Sequence, residues 1–205
     1  MIKEKLGHRL DGWIHTIFPF LFWRSIPPDL LTVVGTLVAG AAGLAFAEGA
    51  FVAGGILLLA GGFFDLVDGV VARHFGTATL FGGFLDSCLD RVVDIVVVLG
   101  LFAHAVRQDD PVAAGLCAVI LVGSVLTSYA KARAELEIDH LPGGLLERGE
   151  RIGLLALGAL SGALGPVLWL LAIGTTVTAG QRFLYARRAL AGRTPVRRED
   201  GQGEV

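Results

Sequence analysis

The sequence predicts an all-α membrane protein with six transmembrane helices, preceded by an amphipathic helix that lies along the membrane surface. Hydrophobic residues make up 54% of the 205 residues, and the mean hydropathy of +0.68 is too high for an ordinary soluble domain of this size. Six hydrophobic stretches follow one another, and basic residues gather in every second segment between them. The net charge of −2 gives no indication of a nucleic-acid partner.

Residues 1–28 predict the juxtamembrane amphipathic helix and a linker. Large apolar and polar side chains alternate through residues 6–23, and Trp13 and Trp23 stand where interfacial anchors are expected. Two prolines then interrupt the chain, and Asp29 after Pro28 predicts the N-cap of the first span.

The six predicted spans lie in one domain of residues 29–191. They cover residues 30–47, 51–72, 82–106, 111–130, 152–164 and 166–179. The fifth is short against the roughly 20 residues that a span needs, and the sixth continues as a polar helix towards Arg193. Residues 192–205 are charged and rich in glycine, which predicts a disordered tail.

The basic residues predict how the chain is oriented. Six spans place both termini and the loops after the second and fourth spans on one side, and nearly all lysines and arginines fall there. The loops on the other side hold only Arg107. The positive-inside rule therefore places both termini in the cytoplasm, with the chain in the inner (plasma) membrane.

Four acidic residues lie at the cytoplasmic ends of the second and third spans, namely Asp65, Asp68, Asp86 and Asp90. The first two are three residues apart and the last two are four apart, so each pair shares a helix face. The short loop between the spans makes the helices antiparallel neighbours, which brings the pairs to one depth. An acid in a bilayer costs up to about 2.5–3.5 kcal/mol, so these carboxylates need compensation.

Cations between the carboxylates would supply this compensation. Oxygen ligands suit Mg²⁺, Mn²⁺ or Ca²⁺ rather than zinc, and two ions would clamp a phosphate diester or pyrophosphate. The expected cofactor is Mg²⁺ or Mn²⁺. Asp94 lies one turn deeper on the same face, outside the pattern, and is expected to pair with a basic group.

The stretch from Asp65 to Asp90 reads D-L-V-D-G-V-V-A-R, then eight residues, then G-G-F-L-D-S-C-L-D. It resembles, without a departure, the DxxDGxxARx8GxxxDxxxD signature of the CDP-alcohol phosphotransferases. The resemblance implies a transferase that uses a CDP-linked lipid such as CDP-diacylglycerol, works as a homodimer, and holds metal through the four aspartates, with Asp90 also serving as the catalytic base. It further implies that the CDP-lipid is bound by Asp29, Thr32, Gly69, Ala72, Arg73 and Gly82.

Basic residues between the fourth and fifth spans indicate a phosphorylated acceptor. The pattern S-x-x-K-x-R followed by ER-x-x-R resembles the bacterial phosphatidylinositol-phosphate synthases, although Gly149 stands where those proteins commonly have proline. The resemblance implies inositol phosphate as acceptor, with glycerol phosphate as the alternative and an archaeal-type donor lipid still open. The expected phosphate-binding residues are Ser128, Lys131, Arg133, Arg148, Arg151 and Arg182. A non-enzymatic carrier of divalent cations is the alternative from another functional class.

Overall fold

The computed structural model describes residues 27–191, and within this range it contains six α-helices and no β-strand. The helices are α1 (Pro28–Ala47), α2 (Phe51–Phe75), α3 (Leu80–Arg107), α4 (Pro111–Ala134), α5 (Arg148–Ser161) and α6 (Leu164–Leu190). The predicted all-α class is therefore confirmed for this range. The predicted amphipathic helix at 6–23 and the tail at 192–205 lie outside the described residues.

The helices differ from the predicted spans mainly at their ends. α2 and α3 each extend towards the other beyond the apolar stretch, and α5 begins at Arg148 and ends at Ser161 rather than covering 152–164. The prediction that Asp29 caps α1 is wrong: Pro27 occupies the N-cap position, and Asp29 lies in the first turn. Proline at the first helical position already has the required φ, which explains the earlier start.

Among the helices of residues 27–191, four are long and apolar enough to cross a membrane, namely α1, α2, α4 and α6. α3 has 28 residues but bears several charged side chains. α5 has 14 residues, or about 21 Å, less than the roughly 30 Å of a hydrocarbon core. Large apolar side chains such as Leu37 and Leu44 are mostly exposed around the outside of the helices, which is typical of a lipid-facing surface.

The helices pack as two neighbouring groups. α1 contacts α2 and α3 most extensively, α4 packs on α6, and α5 lies between α2 and α6. One apolar cluster runs through both groups and includes Phe46, Leu58, Val97 and Leu171. The aspartates predicted to bind metal thus lie on a scaffold of tightly packed helices.

Glycine permits a close crossing between α1 and α3. A Cβ atom at Gly43 would lie 2.6 Å from the carbonyl oxygen of Val96, and one at Gly100 would meet the backbone of Gly43. Small residues therefore permit close helix packing here. Gly40 has no such role, because a Cβ there would meet nothing within 4 Å.

Two connections position the site. Gly76, at φ 63°, ends α2 in the left-handed conformation, and the Thr79 side chain caps α3 by accepting a hydrogen bond from the Gly82 N–H at 2.9 Å. The connection between α4 and α5 is tied to α6, because the Leu146 N–H donates to Thr178 Oγ1 and the Leu145 N–H to Gln181 Oε1, both at 2.9 Å. The start of α5 is thereby held against α6.

Candidate active site

Three of the four predicted aspartates converge where α2 and α3 meet. Asp65, Asp86 and Asp90 each offer a carboxylate oxygen, and the three oxygens lie within 4.8 Å of one another. The side chains are half-buried. A cluster of hard oxygen donors at this spacing fits Mg²⁺ or Mn²⁺.

Asp68 stands beside this group and is held by α1. Its Oδ2 accepts a 2.5 Å hydrogen bond from the Thr32 hydroxyl, and the residues are 6% and 9% exposed. The same hydroxyl lies 3.1 Å from the Pro28 carbonyl oxygen. Since a hydroxyl has one hydrogen, the shorter contact to the carboxylate is the bond that orients Asp68.

A cavity of about 210 Å³ opens next to the aspartates, between α1 and the α2–α3 connection. All six residues expected to bind the CDP-lipid line it, together with Asp68 and Asp86. Gly82 keeps it open, because a Cβ there would lie 3.0 Å from Asp29 Oδ1 and 3.1 Å from Thr79 Oγ1. A Cβ at Gly69 would lie 3.2 Å from Arg73 Nη1, so glycine leaves room for that guanidinium.

Arginines from the start of α5 face the aspartates. Arg148 donates from Nη1 to Asp65 Oδ2 at 3.0 Å and pairs through Nη2 with Asp90 Oδ1 at 2.8 Å. Arg151, one turn deeper, donates from Nη2 to Asp94 Oδ2 at 2.7 Å. The prediction that Asp94 pairs with a basic group is therefore confirmed.

The remaining predicted cationic residues divide between two places. Arg182 on α6 is 5% exposed, donates to the Thr127 carbonyl oxygen at 3.0 Å, and has an Nε without a hydrogen-bond partner. Lys131 Nζ lies 4.0 Å from Glu135 Oε1. Ser128 is half-buried on α4.

Arg133 faces elsewhere. It pairs with Glu137 at 3.3 Å and lines an outer groove between α4 and α6, together with Tyr129 and Phe183. Positions 131 and 133 are two residues apart and lie on nearly opposite sides of a helix, so the structure does not bring both towards the aspartates.

Two contacts beside the carboxylate cluster are missing from the sequence-based prediction. Thr32 was expected to contact the nucleotide, whereas its bond to Asp68 joins residues 36 positions apart. Asp94 was left without a function, although it approaches two predicted acceptor-binding residues, with its Oδ1 3.9 Å from Arg148 Nε. The sequence signal that could have identified Asp94 is its position, one helical turn after Asp90.

Comparison with known proteins gives a consistent family. The family model of CDP-alcohol phosphatidyltransferases matches residues 25–180. Over 140 residues, 68% of this chain and 69% of the relative, the chain is 41% identical to archaetidylinositol phosphate synthase of Methanothermobacter thermautotrophicus. It is 37% identical to phosphatidylinositol phosphate synthase of Streptomyces avermitilis over 189 residues, which cover 84% of this chain and 77% of that protein.

Solved structures of a related enzyme have the same fold. The crystal structure of phosphatidylinositol phosphate synthase of Mycobacterium tuberculosis with CDP-DAG bound aligns with a TM-score of 0.77 and 29% identity, covering 94% of this chain and all of that one. The complex of that enzyme with manganese and citrate aligns with a TM-score of 0.73 and 30% identity over 88% of each chain.

Proposed function

Because the chain belongs to the CDP-alcohol phosphatidyltransferase family, we propose that it transfers the phosphatidyl group of CDP-diacylglycerol to inositol phosphate and releases CMP. The products are phosphatidylinositol phosphate and CMP. The observation that carries the proposal is the position of the carboxylate cluster, which lies between the lined cavity of α1–α3 and the arginines of α5. Two substrates with phosphate groups fit on the two sides of such a cluster.

The donor occupies the cavity beside α1. Gly69 and Gly82 leave space for the nucleotide, Asp29 and Thr32 face its cytidine end, and Ala72 and Arg73 line the path of the pyrophosphate. Asp68 and Asp86 lie on the same wall, so the pyrophosphate would approach the carboxylates directly. An arginine fork is suited to bind phosphate oxygens.

We assign the metal to Asp65, Asp68, Asp86 and Asp90, with two ions of Mg²⁺ or Mn²⁺. The bound cations supply positive charge that neutralises the pyrophosphate. A structure of the mycobacterial relative contains manganese, which supports this cofactor. Arg148, which contacts Asp65 and Asp90, keeps these carboxylates paired at the membrane boundary.

The chemical step is a displacement at phosphorus. Asp90 accepts the proton of the attacking hydroxyl while the acceptor oxygen bonds to the phosphorus nearer the lipid. The bond from that phosphorus to the bridging oxygen breaks, and CMP leaves with the bridging oxygen and its electron pair. The chain contributes mainly by holding the two substrates in line.

The acceptor's phosphate binds on the α4–α6 side. Arg151 and Arg182 are both buried, and the unpartnered Nε of Arg182 is available to a ligand. Arg148, Lys131 and Ser128 would complete the site. Arg133 was part of the sequence-based set, but its place in the outer groove gives that role no support.

The donor lipid has a second candidate. The relative from Methanothermobacter is named for archaetidylinositol phosphate, so an archaeal-type CDP-lipid is the alternative donor with the same acceptor. Glycerol phosphate is the alternative acceptor. Membership of the family excludes the cation carrier considered from the sequence.

We further propose that all six helices span an inner (plasma) membrane, with α5 supported by its neighbours, and that an amphipathic helix at 1–28 precedes this catalytic domain of 29–191. The basic residues support a cytoplasmic position for both termini, for the tail at 192–205 and for the active site. We also propose that two copies of the chain form a homodimer.

The test is release of CMP by the purified protein in the presence of Mg²⁺. CDP-diacylglycerol would be combined in parallel with inositol phosphate, glycerol phosphate, free inositol and serine, and a CDP-linked archaeal lipid would replace it in a second series. We expect release only with inositol phosphate. Release with glycerol phosphate alone would move the chain to the alternative acceptor, and release with a free alcohol alone would refute the phosphate-binding role of the arginines.

A further inference from the structure

Asp94 lies next to the proposed acceptor site but has no part in the function described so far. It is on α3, one turn deeper than Asp90, and its side chain is 13% exposed. Its Oδ2 accepts a hydrogen bond from Arg151 at 2.7 Å, while its Oδ1 is 3.9 Å from Arg148 Nε. One carboxylate therefore faces both arginines from the start of α5.

The ion pairs Arg148–Asp90 and Arg151–Asp94 connect α5 and α3 at two successive helical turns, the first step and the deep step. Both α3 and α5 begin at the membrane end that holds the aspartates, so they run in the same direction. Arg148 meets Asp90 at the first step, and Arg151 meets Asp94 one turn deeper. Within residues 27–191, α3 and α5 are not among the closely packed helix pairs, so long side chains connect them.

The contact with Asp94 determines which edge of Arg151 stays available. A guanidinium has five N–H donors arranged in a plane, and Asp94 uses Nη2. Since the residue is 7% exposed, its side chain has little freedom to choose another orientation. The remaining donors are thereby held in one direction rather than sampling several.

The deep side of the pair has no room for an acceptor. The space lined by Asp94, Ser124 and Arg151 measures about 30 Å³ and is otherwise apolar, which is enough for about one water molecule. This space is therefore too small to hold a phosphorylated alcohol.

We propose that Asp94 is a positioning residue that holds Arg151, and through it the acceptor-binding edge of the active site, in the orientation that receives the acceptor's phosphate. This inference rests on the proposed function. Asp94 binds neither metal nor substrate in this scheme, and its effect reaches the acceptor through the guanidinium.

The test compares Asp94→Asn with wild-type full-length protein. Binding of inositol phosphate would be measured by calorimetry, and CMP release would give the KM of each substrate. We expect Asp94→Asn to weaken inositol phosphate binding and raise the acceptor KM at least tenfold, while the KM for CDP-diacylglycerol stays within twofold. An unchanged or lower acceptor KM, or an equal rise for both substrates, overturns the proposal.

Two further variants address folding and route. Neither Arg151→Gln nor the double variant Asp94→Asn/Arg151→Gln leaves an unpaired charge at the deep step. In Arg151→Gln, Asp94 still faces Arg148, and in the double variant both charges are removed. If Asp94 acts through Arg151, these two variants bind inositol phosphate within threefold of each other, even if Asp94→Asn alone fails to fold. A further tenfold loss in the double variant contradicts the proposal.

Asp109→Asn is the matched control. Asp109 lies in the connection after α3 at the opposite membrane end and has φ 56°, a conformation that asparagine adopts readily. Two measurements separate the proposed function from the positioning role. Absence of CMP release by wild type with inositol phosphate refutes the proposed function. Equal binding of inositol phosphate by wild type and Asp94→Asn refutes only the positioning role. A wild type that binds no inositol phosphate refutes both.

Discussion

Replacing Thr32 with valine removes the hydroxyl that joins α1 to Asp68 and changes little else, because the two side chains have nearly the same shape. The bond is 2.5 Å long, and both residues are almost completely buried. A hydrogen bond to a charged group contributes about 1.5–3 kcal/mol, and removing one partner leaves the other buried without compensation. For a chain of this size, that loss lowers the melting temperature by about 3–12 °C.

The same change should weaken metal binding. Groups that orient a metal ligand contribute about 10–100-fold in metal affinity, and Thr32 is the hydrogen-bond partner of a proposed ligand. We expect Thr32→Val to bind Mn²⁺ about 10–100-fold more weakly by calorimetry, and Thr32→Ser, which keeps the hydroxyl, to stay near wild type. Thermal unfolding of the detergent-solubilised protein measures the stability part.

Thr36→Val is the control, since Thr36 lies one turn further along α1 and its hydroxyl donates only to the Thr32 carbonyl oxygen, at 2.8 Å. Its removal costs a bond within one helix that water or the backbone can replace. If Thr32→Val and Thr36→Val had the same melting temperature and the same Mn²⁺ affinity, the bond to Asp68 would have no role in orienting the site.

Three other changes follow from the structure. Asp90→Asn should abolish CMP release in the activity assay while CDP-diacylglycerol still binds; near-normal turnover would show that another group accepts the proton. Adding Mn²⁺ at 100 times its dissociation constant should stabilise wild type by about 2.7 kcal/mol and so raise its melting temperature. Asp86→Asn should lose most of this gain. Gly43→Ala should destabilise the protein by about 1–3 kcal/mol, because its Cβ would strike the Val96 backbone. Gly40→Ala should be neutral or stabilising, and equal melting temperatures for the two would contradict the close crossing.

The convergence of the aspartates was predictable because it depends on local spacing. Asp65 and Asp86 lie on consecutive helices, and the connection between them is too short to allow any arrangement but antiparallel neighbours. Hydropathy also located all six helices within residues 27–191. It missed their ends, since polar residues such as Arg148 and Glu150 belong to α5 but not to its apolar stretch.

The partners of the arginines were not predictable in the same way. Arg148 and Asp65 are 83 positions apart, and Arg151 and Asp94 are 57 apart, so their contacts depend on how α5 is seated against α2 and α6. Hydrophobic periodicity predicts which face of a helix is buried, but it does not predict which residue of another helix that face contacts. Lys131 and Arg133 are two residues apart, so the sequence could have shown that they do not both face the aspartates.

The order of the helices along the chain has a consequence for biosynthesis. The acidic hairpin of α2 and α3 emerges from the ribosome first, and Arg148 follows 83 residues after Asp65. At about 5–20 residues per second, the Asp65 carboxylate waits roughly 4–17 seconds for its arginine. A divalent cation bound by the acidic hairpin would therefore help the unfinished chain to insert and fold before it serves the completed enzyme as a cofactor.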